Sequence, residues 1–150
     1  MSAIETMKEV VETHNLLHIA TLDFNGLPCL RGVDYAMGNT PNILYFITQK
    51  TSRKVQQITD NANVAIAIDH DCLTWDDLGK LKYIKGTGTA AVIESSEEMQ
   101  MAFGLLVKKL PFLANLPGDP SDFVGIKIEI KHVFVTDNTI SFSHTEELKF

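Results

Sequence analysis

The chain has 150 residues, 45% of them hydrophobic and 21% charged. That composition excludes a disordered tail or a fibrous repeat and suits a single globular domain over residues 1–150. A net charge of −6 argues against nucleic acid as a general partner, because neutralising phosphates needs a surplus of cations. Only two of the basic residues are arginines, Arg31 and Arg53.

Cys29 and Cys72 are far apart and form no Cys-x-x-Cys pair, the pattern of reduced thiols in a cytoplasmic protein. Residues Met1 to Lys8 mix acids with apolar side chains and lack the apolar centre of a signal peptide. The longest apolar runs, such as Val64 to Ile68, fall far short of the roughly 20 residues that span a bilayer. The expected setting is therefore the cytoplasm, with no membrane partner.

Ile4, Met7, Val10 and Val11 repeat at helical spacing and predict an N-terminal helix over about 3–14. Leu16 to Leu22 reads as a strand, closed by the hairpin signal Asp23-Phe24-Asn25-Gly26. Pro28 to Met37 predicts a second strand and Ile43 to Thr48 a third. Thr51 to Asp60 predicts a short helix, capped by Thr51 or Ser52, and Asn63 to Asp69 a buried strand. A polar, Asp-rich loop follows around Trp75. Leu81 to Ile93 reads as a long strand whose Gly86 and Gly88 suggest a bulge, a bend or close approach of a ligand.

Ser95-Ser96-Glu97-Glu98 is a capping-box signature in which Glu98 would reach back to Ser95. It opens a helix to about Lys109. A proline-rich loop spans Pro111 to Pro120. Ile126, Ile128 and Ile130 then alternate with Lys127, Glu129 and Lys131, a strand with one dry and one wet face. Thr139 to Ser143 predicts the last strand, followed by a polar tail. The whole reads as mainly β (β+α): a six- to seven-stranded antiparallel barrel with peripheral helices, because strands and helices do not alternate regularly enough for a parallel sheet.

The stretch richest in chemistry is Thr48-Gln49-Lys50-Thr51-Ser52-Arg53-Lys54. A strand ends at Thr48 and a helix begins near Ser52, leaving first-turn N–H groups free. Two cations there sit against the positive end of the helix dipole. A phosphate would resolve that conflict by accepting from the N–H groups, the Thr48 and Ser52 hydroxyls, and Arg53 and Lys54. The alternative is a solvated basic helix start. Arg31, on the second strand, shares a face with Val33 and Tyr35, opposite Leu30, Gly32 and Asp34. Its planar fork suits a phosphate or a polarised ring carbonyl; a surface ion pair is the alternative.

The run Leu17-His18-Ile19-Ala20-Thr21-Leu22, then Gly26-x-Pro28, Arg31-Gly32-Val33 and Tyr45-Phe46-Ile47-Thr48-x-x-x-Ser52-Arg53-Lys54, resembles the pyridoxamine 5′-phosphate oxidase-like family of flavin-binding split barrels. Lys85-Gly86-Thr87-Gly88 extends the likeness, which covers residues 16 to about 93. The resemblance implies an FMN-dependent oxidoreductase with FMN at the interface of a homodimer. Arg53 and Lys54 would hold the phosphate, with Ser52 at the helix start. Arg31, Gly32 and Val33 would lie beside the isoalloxazine ring, and Ile47 and Thr48 would contact the ring or the ribityl chain. A small-molecule redox substrate is implied, with NAD(P)H a candidate donor. The oxidase also carries arginine and histidine near its C-terminus to grip pyridoxine phosphate. Here no arginine follows Arg53, so the likeness implies the family rather than vitamin B6 phosphate as substrate.

Neither the sequence nor the resemblance names a residue for proton transfer. The alternatives on the same fold are a non-catalytic, stress-related flavin-binding protein, or a protein that takes F420 or haem. His14, His18, His70, His132 and His144 show no metal-ligand spacing, and His70-Asp71-Cys72 are adjacent loop residues that do not readily converge on one ion. No metal is expected. Trp75, Tyr83 and Phe103 could frame a ring, but core packing is the default expectation for aromatics.

Overall fold

The computed structural model describes residues 1–150. Helix α1 (Ala3–Thr13) opens the chain with a complete capping box. The Ser2 hydroxyl accepts from the Glu5 N–H, while the Glu5 carboxylate accepts from the Ser2 N–H at 2.7 Å. The strands are β1 (Leu16–Leu22), β2 (Pro28–Asp34), β3 (Ala36–Met37), β4 (Ile43–Gln49), β5 (Asn63–Ile68), β6 (Lys82–Val92), β7 (Phe123–Asp137) and β8 (Thr145–Lys149). Helices α2 (Arg53–Asp60), α3 (Trp75–Lys80) and α4 (Ser96–Lys109) complete the order.

The strands form one antiparallel sheet in the order β2-β1-β5-β6-β7-β4-β3, with β8 added to β7. The two ends of that order, β2 and β3, are consecutive in the chain. The sheet therefore curls until its ends meet at Tyr35, which is fully buried and donates its hydroxyl to the Val11 carbonyl at 2.7 Å. This breaks the strand expected over Pro28 to Met37: its first part pairs with β1 and its last two residues pair with β4. Leu17, Ile19, Phe46, Ile66, Ile84, Ile126, Ile128 and Ile130 fill the interior, together with Met7, Val10 and Val11 of α1.

The glycines of β6 answer to crowding. The register slips between Thr87 and Gly88, and a Cβ at Gly88 would sit 2.0 Å from the Glu129 carbonyl oxygen. A Cβ at Gly86 would sit 2.3 Å from that of His132. They mark a bulge, one of the expected possibilities, and a close approach of the neighbouring β7 backbone in place of the ligand approach that was also expected.

Other expectations need correction. The loop around Trp75 contains α3, capped by Thr74, whose hydroxyl accepts from the Asp77 N–H. Trp75 is not core; it is 83% exposed. Ser95 does cap α4, but Glu98 does not reach back to it. Its carboxylate accepts instead from the Tyr45 hydroxyl at 3.2 Å and pairs with Lys127 at 3.3 Å. Thr139 to Ser143 is a turn, held where Asp137 Oδ1 accepts from the Thr139 N–H and where Ser143 takes φ +63°. The last strand lies in the expected tail, Thr145–Lys149, along the second half of β7.

Candidate functional site

The site arises where the curled sheet fails to close. β3 bonds β4 only at Ala36–Tyr45 and Met37–Leu44, and β2 shares no ladder with β4. Beyond those pairs the two strands diverge. The cleft between them, of about 250 Å³, is lined by Gly32, Val33, Asp34, Ile47, Thr48 and Lys54, with Leu16 and Leu113 at its margins. Five of the eight residues expected from sequence thus line one cavity: Gly32, Val33, Ile47, Thr48 and Lys54. Gly32 keeps one wall flat, since a Cβ there would come within 3.0 Å of Leu16 Cδ1.

Helix α2 begins at the mouth of this cleft. Its N-cap is Ser52, one of the two expected residues, yet the Ser52 side chain makes no cap hydrogen bond. The hydroxyl lies 3.4 Å from Thr48 Oγ1 instead. The first turn holds no acid, and its charged residues are Arg53 and Lys54, so no acidic side chain of the helix start complements its donors and dipole. Arg53 is exposed; Lys54 is half-buried.

Arg31 does not line the cleft. Although Val33, two residues on, shares its strand face and lines the cleft, the Arg31 side chain runs towards α2. Nη1 donates to Thr21 Oγ1 at 2.6 Å and to the Cys29 carbonyl at 3.0 Å, and Nη2 donates to Gln57 Oε1 at 3.1 Å. These neutral acceptors orient the guanidinium without cancelling its charge. The expected alternative of a surface ion pair is not what forms: no carboxylate pairs with Arg31, Arg53 or Lys54.

The electrostatics carry the mark of that imbalance. Burial holds Lys54 below the ordinary lysine range, and the positive charge of Arg31 lowers it further. Burial also lowers Arg31. An arrangement that desolvates one cation beside another destabilises both until an anion arrives. The group that suits this donor set is a small oxyanion, at the start of a cleft walled further by Leu16, Gly32, Val33, Ile47 and Leu113, with Asp34 among them.

Sequence reasoning missed Leu16, Asp34 and Leu113 in the cleft, and Thr21 and Gln57 behind Arg31. Asp34 was open to discovery, being two residues beyond Gly32 on the same strand face. Leu113 comes from a short 3₁₀ turn, Pro111–Asn115, and had no periodic signal. Gln57 lies one turn beyond Arg53 and Lys54 on α2.

Residues 3–137 match the family described as pyridoxamine 5′-phosphate oxidase. No curated protein matches the chain. Among solved structures, it is similar to a haem-binding protein from Mycobacterium smegmatis, with a TM-score of 0.79 at 17% identity, covering 99% of this chain and 58% of that one. It thus spans 58% of the mycobacterial protein's length. The haem storage protein HutZ from Vibrio cholerae superposes with a TM-score of 0.71 at 18% identity, covering 90% of this chain and 95% of that one. General Stress Protein 26 from Bacillus anthracis gives 0.70 at 21% identity, with both chains fully covered. At these identities the likeness is one of fold.

Proposed function

The chain belongs to the pyridoxamine 5′-phosphate oxidase family, and from that premise we propose that it is an FMN-dependent oxidoreductase. It would act as a homodimer on a small-molecule redox substrate, with NAD(P)H a candidate electron donor. The observation that carries this reading is the group of cations, Arg31, Arg53 and Lys54, left without carboxylate partners around an uncapped helix start.

Bound FMN supplies hydride chemistry at its ring. The chain's own residues hold and orient it. Lys54, Arg53 and the first-turn N–H groups of α2 would grip the phosphate, with the Thr48 and Ser52 hydroxyls as further donors. Arg31, locked by Thr21 and Gln57, would reinforce that end of the site through its charge. Gly32, Val33 and Ile47 would accommodate the flatter, less polar part, where the missing side chain of Gly32 permits close approach. Closing this cleft against water strengthens each of those contacts.

A homodimer is supported by the outer face of β2, β1 and β5. Leu30, Ala20, Ala65 and Thr87 stand in one row across the paired strands. An open depression of about 490 Å³ adjoins them, and Phe24, Leu27 and Leu30 are 93%, 59% and 71% exposed. Large apolar side chains around a face of small residues fit a self-complementary contact across a two-fold axis.

Haem is the second reading, favoured by the haem-binding and haem storage proteins that share the fold. No histidine lines the cleft, which weighs against an imidazole axial ligand there. The stress protein keeps a non-catalytic flavin binder of the same site in view. Incubating the purified protein with FMN, F420 and haem in turn, then removing free ligand and recording the visible spectrum, separates these. The expected result is retained FMN with flavin bands that bleach on adding NAD(P)H. A Soret band with no retained flavin would overturn the reading. Retained FMN that no donor reduces would leave a flavin-binding protein without the oxidoreductase.

A further inference from the structure

A second cavity lies on the far side of Ile47. Its volume is about 440 Å³, within the range of small-molecule sites. Met99 and Phe103 of α4 form one wall, Phe123 closes one end, and Leu116 roofs it from the proline-rich segment. Each of these large side chains, Ile47 included, is only half-buried, so they surround a space instead of closing on one another. No charged side chain lines it, and the Gln100 amide is the single polar side chain.

The walls are built rather than loose. Gly125 pairs with Ile47 across β7 and β4, and Met99 Sδ occupies the space that a Cβ at Gly125 would need, 2.5 Å away. A methionine so placed makes that wall apolar and adaptable. The roof is bounded by 3₁₀ turns at Pro111–Asn115 and Pro120–Asp122, and the Lys50 N–H donates to the Asp122 carbonyl at 2.9 Å. Leu113 of that segment lines the cofactor cleft, whereas Ala114 lines this pocket.

We propose that this pocket binds an uncharged, ring-bearing small molecule with one or two hydrogen-bonding groups, held against the strand end that also walls the cofactor cleft. The two phenylalanines and the methionine suit an aromatic or quinonoid ring, and Gln100 can give or take one hydrogen bond. An anionic substrate would lose its hydration and find no cation in return. The pocket's placement beside a cofactor rests on the FMN reading; the chemistry of its lining does not.

The test uses protein labelled with ¹³C at the methionine methyls, with and without FMN, titrated with menadione and with its anionic analogue 1,4-naphthoquinone-2-sulfonate. Menadione is expected to move the Met99 methyl signal and leave Met7 still. The sulfonate is expected to bind at least about tenfold more weakly. Ala114→Phe, which fills the pocket from an exposed turn, should abolish the Met99 response without changing FMN affinity; Phe103→Ala should weaken it. Equal binding of the sulfonate, or no Met99 response to either quinone, would overturn the proposal. A Met99 response in protein that fails to bind FMN would retain the pocket and reject the cofactor reading instead.

Discussion

Lys109 shows at a single residue how the fold strains its own charges. Its ammonium donates to the Val11 carbonyl at 3.4 Å and to that of His14, closing the end of α1, and lies 3.8 Å from the centre of the Tyr35 ring. Burial pushes its pKa down to about 8, while Asp34 opposes the shift. Between that value and its ordinary 10.5, the unfolded chain holds more protons than the folded one. Stability should therefore climb as pH rises from about 8 to about 10.5, with no contribution from this group to the slope outside that window. Denaturant midpoints measured across the window should rise less steeply in Lys109→Met than in the parent; identical slopes would contradict the assignment. Arg31 and Lys54 are desolvated in the same way, but there an incoming anion would supply the compensation. That was legible in part: Arg53 and Lys54 at a helix start signalled conflict, whereas the course of Arg31 towards Gln57 depends on which faces of β2 and α2 meet.

The helices differ at their starts in a way that separates stability from binding. Ser95 accepts from the Glu98 N–H at 3.2 Å, but Ser52 makes no such bond in α2. Ser95→Ala should cost about 1 kcal/mol of unfolding free energy, as lost caps do. Ser52→Ala should leave the unfolding free energy of the FMN-free protein nearly unchanged and weaken FMN binding. A comparable loss of stability from both substitutions would mean that Ser52 serves the helix and not a ligand. Strand β1 and the isoleucine run of β7 were legible because period-two burial is local, and β4 because β-branched and aromatic residues crowd it. The end of the chain was not. Thr139 to Ser143 carries β-branched and aromatic side chains but turns, while Thr145–Lys149, polar throughout except Leu148, pairs because the free edge of β7 lies beside it. Tertiary context decides such edge strands.

For the whole molecule, the curl of the sheet leaves one end split and one outer face rich in small and apolar residues. The order of strands was not written in any local motif; the break at Tyr35 follows from a buried aromatic whose hydroxyl must find the Val11 carbonyl. Light scattering at micromolar concentration should report a dimer, and Ala65→Glu, placed in the row between Ala20 and Thr87, should shift it towards monomer and weaken FMN binding with it. A monomeric parent that retains flavin would contradict this. No helix is long and apolar enough to cross a membrane.

The phosphate anchor is the centre of the account, and calorimetric titration of FMN against riboflavin tests it most directly, because the two ligands differ only by the phosphate. The parent should bind FMN far more tightly than riboflavin. Arg53→Ala with Lys54→Ala should lose on the order of 3 kcal/mol towards FMN from two charge-assisted contacts, with riboflavin affinity unchanged. Equal losses for both ligands, or no loss for either, would contradict it.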